Sequence, residues 1–179
     1  MAREGLRSAV LVAATLTLAA PASAIAASGG TAPGTATGAS NPTAKAKISR
    51  DGRTAIPPDS APPQVKKAIY AANKITRKPY RYGGGHGKWN DSGYDCSGSV
   101  SFALHGAGLL DKPLASGDFE SWGDAGPGQW VTIYTKASHA YMVVAGIRFD
   151  TSGRTTHNTR WQADMRSSSG YVARHPTGL

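Results

Sequence analysis

Apolar residues recur at helical spacing over two stretches of the chain. The first opens at Pro62 and Pro63 and places Val65, Ala68, Ile69, Ala72 and Ile75 on one side, with Lys66, Lys67, Asn73 and Lys74 on the other, which predicts an amphipathic packing helix. The second runs from Cys96 through Val100, Ala103 and Ala107, with Gly106 and Gly108 loosening its end. Asp95 is a natural N-cap for it, so Cys96 falls in the first turn. Between the two helices, Pro79-Tyr80-Arg81-Tyr82-Gly83-Gly84-Gly85-His86-Gly87 reads as a short extended piece entering a loop. Its glycines have neither the Lys-Ser/Thr nor the strand-to-helix crossover that a phosphate loop needs.

Farther on the period changes. Ala140 to Val144 and Ile147 to Thr151 read as two strands joined at Ala145-Gly146. With that turn, Val144 pairs with Ile147 and Met142 with Phe149, so all four apolar side chains share a face. The opposite face then carries His139, Tyr141 and Val143 beside Arg148, Asp150 and Ser152.

The ends of the chain read differently. Arg3 and Arg7, the apolar run Ser8 to Leu18 and Ala22-Ser23-Ala24 have the layout of an export signal over residues 1–24, with Ala24-Ile25-Ala26 as a second cutting point. The apolar run is too short to span a bilayer. Residues 25–62 are rich in Ala, Gly, Thr, Ser and Pro and contain no aromatic residue, which predicts a flexible leader dispensable for folding. Every aromatic residue lies between Tyr70 and Tyr171, so residues 63–179 are predicted to form one domain.

The formal net charge is +9, and removing Arg3, Arg7 and Glu4 with the signal leaves +8. A basic exported protein is drawn to anionic polymers, such as those of a bacterial wall. No zinc-finger or RNA-binding pattern accompanies the scattered Lys and Arg, so no nucleic-acid partner is expected. Cys96 is the one cysteine. Alone in an oxidising compartment it is a buried hydrophobe, half of an intermolecular bridge or a nucleophile. Its place at the positive end of a helix favours the nucleophile, because the dipole and unpaired N–H groups stabilise a thiolate and an oxyanion.

Five histidines compete for the role of base. His105 lies nine residues beyond Cys96, on the opposite helix face. His157 and His175 read as solvated, and His86 as bordering the cleft. His139 heads a strand and shares a face with Asp150, which is placed to orient its imidazole; the other reading of Asp150 is a salt-bridge partner of Arg148 or Arg154. A metal site lacks both a His-Glu-x-x-His motif and a thiolate cage. No cofactor is implied.

Pro79-Tyr80-Arg81-Tyr82-Gly83-Gly84, Asp95-Cys96-Ser97-Gly98 opening a helix and His139 heading a strand together resemble the NlpC/P60 family of papain-like cell-wall cysteine peptidases. The resemblance covers about residues 63–175. It implies an α+β papain-like fold, with the helix bearing the nucleophile packed on an antiparallel sheet. It also implies hydrolysis of amide bonds in peptidoglycan stem peptides, often between D-γ-glutamate and diaminopimelate; with the export signal, the expectation is a secreted, monomeric hydrolase. By position Cys96 is then the nucleophile, His139 the base and Asp150 the third polar residue. Tyr80, Asp95 and Ser97 match positions that contact substrate. An N-acetylmuramoyl-L-alanine amidase, an acyltransferase using the same triad, or a non-catalytic wall-binding relative are the alternatives, separable by the fragments released from wall.

Overall fold

The structure is a computed structural model and describes residues 44–154 and 158–179. The expected signal segment and His157 lie outside the described residues. Two helices and a six-stranded antiparallel sheet form the α+β body. Helix α1 spans Pro63–Ile75 and α2 spans Cys96–Gly106. The sheet contains β3 (Asp124–Ala125), β4 (Val131–Lys136), β5 (His139–Val144), β6 (Ile147–Phe149), β7 (Trp161–Gln162) and β8 (Val172–His175) in the order β3-β8-β4-β5-β6-β7.

Helix α1 buries the stripe read from the sequence, Val65, Ala68, Ile69, Ala72 and Ile75. Its proline start suits a first turn whose N–H groups have no intrahelical partner. Helix α2 packs against α1 on one side and β5 on the other. The two helices pack tightly at Gly106, where a Cβ would collide with that of Ala71. In the sheet, Met142 pairs with Phe149 and Val144 with Ile147, as the alternation predicts, and all four are buried in the core. The turn between β5 and β6 has positive φ at both Ala145 (45°) and Gly146 (76°). That geometry matches the twist of a two-residue hairpin.

Residues 44–62, predicted as part of a flexible leader, are structured. β1 (Lys47–Ile48) and β2 (Ala55–Ile56) form an antiparallel pair, and Ala46, Ala55 and Ala61 are buried in the core. Small side chains suffice here because backbone groups make the attachment. Ala46 N–H donates to Ala145 O at 2.8 Å. The Asn73 amide accepts from Ala55 N–H at 2.8 Å and donates to Ala55 O at 2.9 Å. The same Asn73 Oδ1 accepts from Trp161 Nε1 at 2.8 Å, joining hairpin, helix and sheet edge. The expected dispensability therefore does not extend to residues 44–60. A chain beginning at Ala61 is predicted to melt on the order of 5–10 °C below one beginning at residue 44, measured by thermal circular dichroism. Equal melting temperatures would show that the hairpin adds no stability.

Arg160 is the other organising residue. Its fully buried guanidinium donates to the carbonyls of Ile75 (2.6 Å), Lys78 (2.7 Å) and Tyr94 (3.2 Å) and to Ser99 Oγ (3.1 Å). Burial and the neighbouring Arg154 lower its pKa to about 10. Bonds to carbonyl dipoles offset the desolvation of this charge. They also tie the end of α1 and the Tyr80 segment to the start of α2, where the chemistry lies.

Candidate active site

Asp95 caps α2 as predicted. Its Oδ1 accepts from Gly98 N–H at 2.7 Å, and its Oδ2 accepts from Gly83 N–H at 2.9 Å. One carboxylate thus fastens the glycine loop to the first helical turn. The approach requires glycine at both ends, because a Cβ on Gly98 would strike Gly84 O and one on Gly84 would strike Gly93 O. The first ladder bond of α2 is Ser99 N–H to Asp95 O. The N–H groups of Cys96 and Ser97 precede it and have no helical acceptor. Cys96 itself is buried at the base of a cleft lined by Tyr80, Tyr82, Asp95, Ser97 and Ser116.

The imidazole of His139 is held from behind. Its Nε2 lies 3.0 Å from Asp150 Oδ1, and the Asp150 side chain is 0% exposed. An acceptor-only carboxylate requires the proton on Nε2, which leaves Nδ1 for the sulfur. Asp150 sits just past β6, where its Oδ1 also accepts from Ser152 N–H at 2.9 Å and caps the short 3-10 turn Thr151–Gly153. Its Oδ2 accepts from Arg148 Nη1 at 2.9 Å and Arg166 Nη1 at 3.0 Å. Asp150 thus contacts both His139 and Arg148, with Arg166 rather than Arg154 as the second cation.

These contacts set the charges. Burial pushes the Cys96 thiol up, but hydrogen bonds with His139, Ser116 and the Ala140 backbone outweigh it and leave its pKa at about 7. For His139, burial works against the charged ring, while the bonds to Asp150 and Cys96 raise its pKa to about 9. Burial also opposes ionisation of Asp150, and the hydrogen bonds from His139 and Ser152 override it, holding the carboxyl far below its usual range. Between about pH 7 and 9 the pair therefore rests as thiolate and imidazolium, two coupled titrations rather than independent ones.

Tyr80 lines the cleft with its phenol pKa raised, first by burial and then by the charges of Cys96 and Asp95. It stays protonated and able to donate. Ser97 Oγ lies 3.3 Å from both Asp95 Oδ1 and His86 Nε2, and His86 Nε2 is 3.0 Å from Asp95 Oδ1. All six residues singled out from the sequence thus gather around one cleft and its rear wall. His105 is elsewhere, stacked on Trp89 at 3.8 Å with its Nδ1 on Leu110 O. His175, expected to be solvated, belongs to β8 and bonds Gly126 O through Nδ1 at 3.0 Å.

Sequence reasoning missed Ser116, whose Oγ is 3.5 Å from Cys96 Sγ and whose carbonyl accepts from Thr135 Oγ1. It missed Arg166 as well. Nothing local marks either one, since each reaches the site from a segment without apolar periodicity.

Helix-borne cysteine, strand-borne histidine and buried carboxylate form a Cys-His-Asp constellation on an α+β scaffold, which is chemically competent for nucleophilic acyl transfer. No family model matches the sequence, and no curated protein does. Solved structures do. The P60 domain of an antigen from M. avium subspecies paratuberculosis is 21% identical, with 62% of this chain and 93% of that one covered and a TM-score of 0.48. The peptidoglycan hydrolase RipB from Mycobacterium tuberculosis is 26% identical over 66% of this chain and 68% of that one, with a TM-score of 0.49. Rv1477, a hypothetical invasion protein of Mycobacterium tuberculosis, is 21% identical with a TM-score of 0.45; the match covers 62% of this chain and 61% of that one.

Proposed function

We propose that this protein is a secreted cysteine endopeptidase of the NlpC/P60 kind that hydrolyses amide bonds in peptidoglycan stem peptides, in particular the D-γ-glutamyl–diaminopimelate bond. The observation that carries the reading is Cys96 in the first turn of α2, together with a His139 whose Nε2 is held at 3.0 Å by buried Asp150 and whose imidazole lowers the thiol pKa. The Tyr80 to Gly84 and Asp95 to Gly98 motifs support the wall as substrate, and the net positive charge favours approach to an anionic polymer.

In this reading the Cys96 thiolate attacks the amide carbonyl, forming the C–S bond. The N–H groups of Cys96 and Ser97, with the Tyr80 hydroxyl, face the developing oxyanion. His139 gives its proton to the leaving nitrogen as the C–N bond breaks. It then takes a proton from water, which attacks the thioester and releases the acid and the thiolate.

Digestion of purified wall followed by mass spectrometry of the soluble muropeptides tests the proposal. Fragments with a free D-glutamate γ-carboxyl and a free diaminopimelate amine are expected from the native protein and absent with Cys96→Ser. Release of intact stem peptides from muramic acid would replace the endopeptidase reading with an amidase. No fragments from either protein would overturn hydrolysis.

A further inference from the structure

Lys136 ends β4 directly opposite His139, across a two-residue turn at Ala137 and Ser138 that lines the Cys96 cleft. Directly opposed residues of an antiparallel pair project on the same face, so lysine and imidazole emerge side by side. Lys136 Nζ lies 4.8 Å from the centre of the Tyr171 ring. Tyr171 stands edge-on to His139, with ring centres 6.3 Å apart. Arg166 completes the group, its guanidinium carbon 5.5 Å from the Tyr171 ring and 5.4 Å from that of Tyr141.

The charges around this group are unbalanced. Asp150 is buried, with its oxygens occupied by His139, Ser152, Arg148 and Arg166. Asp164 is held by Arg148. Exposed Lys136 makes no ion pair among the described residues, and Arg166 keeps 32% of its side chain exposed while its bonds to Asp150 and Ser152 fix its position. Two cations braced on tyrosine faces thus border the residue that protonates the leaving nitrogen.

An amide that releases an amino acid leaves that residue's nitrogen at His139 and its α-carboxylate one carbon away. We propose that Lys136, Tyr171 and Arg166 form a subsite for the carboxylate of the residue released as the amine. This inference rests on the hydrolase reading above. It makes stem peptides that end at the leaving residue, with its α-carboxyl free, better substrates than those in which that carboxyl is amidated or joined to a further residue.

The test uses two synthetic stem peptides differing only at the leaving residue, one with a free α-carboxylate and one with the carboxamide, each assayed for amine release. The native protein is expected to favour the carboxylate by roughly fivefold in kcat/KM, the range of a partly exposed charge pair, mainly through KM. Lys136→Met should bring that ratio close to one, and Lys136→Glu should invert it. Because the ratio is taken within each variant, a general loss of activity or stability cancels. Equal use of both peptides by the native protein, or an unchanged ratio in Lys136→Met, overturns the subsite while leaving the hydrolase reading standing. Failure of the native protein to cut either peptide overturns both.

Discussion

His139→Ala should remove nearly all turnover, by about three orders of magnitude or more, with little loss of stability. The imidazole does two jobs in this site, and the substitution cancels both. It lowers the thiol pKa by favouring the thiolate, and with its own pKa raised to about 9 it carries the proton that goes to the leaving nitrogen. The ring is half-buried at the start of β5 and not part of the apolar core, so its removal leaves the sheet in place. Single-turnover hydrolysis of a stem peptide, alongside thermal unfolding, measures both effects. Substantial residual turnover in folded His139→Ala would remove this histidine from the mechanism.

Asp150→Asn should be harmful in a second way that the sequence did not reveal. Loss of the negative charge withdraws support from the imidazolium and permits the wrong tautomer, so kcat should fall by about two orders of magnitude or more. The fold should suffer too. Asp150 carries charge-assisted bonds from Arg148 and Arg166, and Arg148 is itself buried. An asparagine leaves those cations without their shared anion, at a cost of about 3 kcal/mol. Because the folded-state pKa of Asp150 is depressed, its contribution is complete above the ordinary carboxyl range and is lost as pH falls through the folded value. Native stability should therefore decline on acidification below about pH 4, and Asp150→Asn should flatten that decline. Denaturant midpoints across pH 3 to 7 read the effect. A variant as stable as the native protein would mean that the arginines find other partners.

Local chemistry explains what was legible in the sequence. Helix α1 could be read from five apolar positions at helical spacing, and the start of α2 from an aspartate whose side chain has one obvious use, at the N–H of Gly98. The β5–β6 register followed from a two-residue turn, and the facing of His139 and Asp150 followed from the register. What stayed hidden depends on partners distant in sequence. Ala46 and Ala55 look like linker residues until Ala145 and Asn73 supply their hydrogen bonds. Arg160 and Arg166 lie in polar stretches with no periodicity, so the carbonyl cluster and the carboxylate they serve appear only after folding. Strand β6 also ends at Phe149 rather than Thr151, because Asp150 turns the chain by capping Ser152 N–H.

The central claim is that Cys96 is a thiolate held by His139 at neutral pH. As the chain has a single thiol, the rate of iodoacetamide labelling against pH in the folded protein reports on that residue alone. An apparent pKa of about 7 is expected for the native protein, rising to at least the free-thiol value of about 8.5 in His139→Ala. A native thiol that titrates at or above about 8.5, or one whose titration is the same with and without the imidazole, would contradict it.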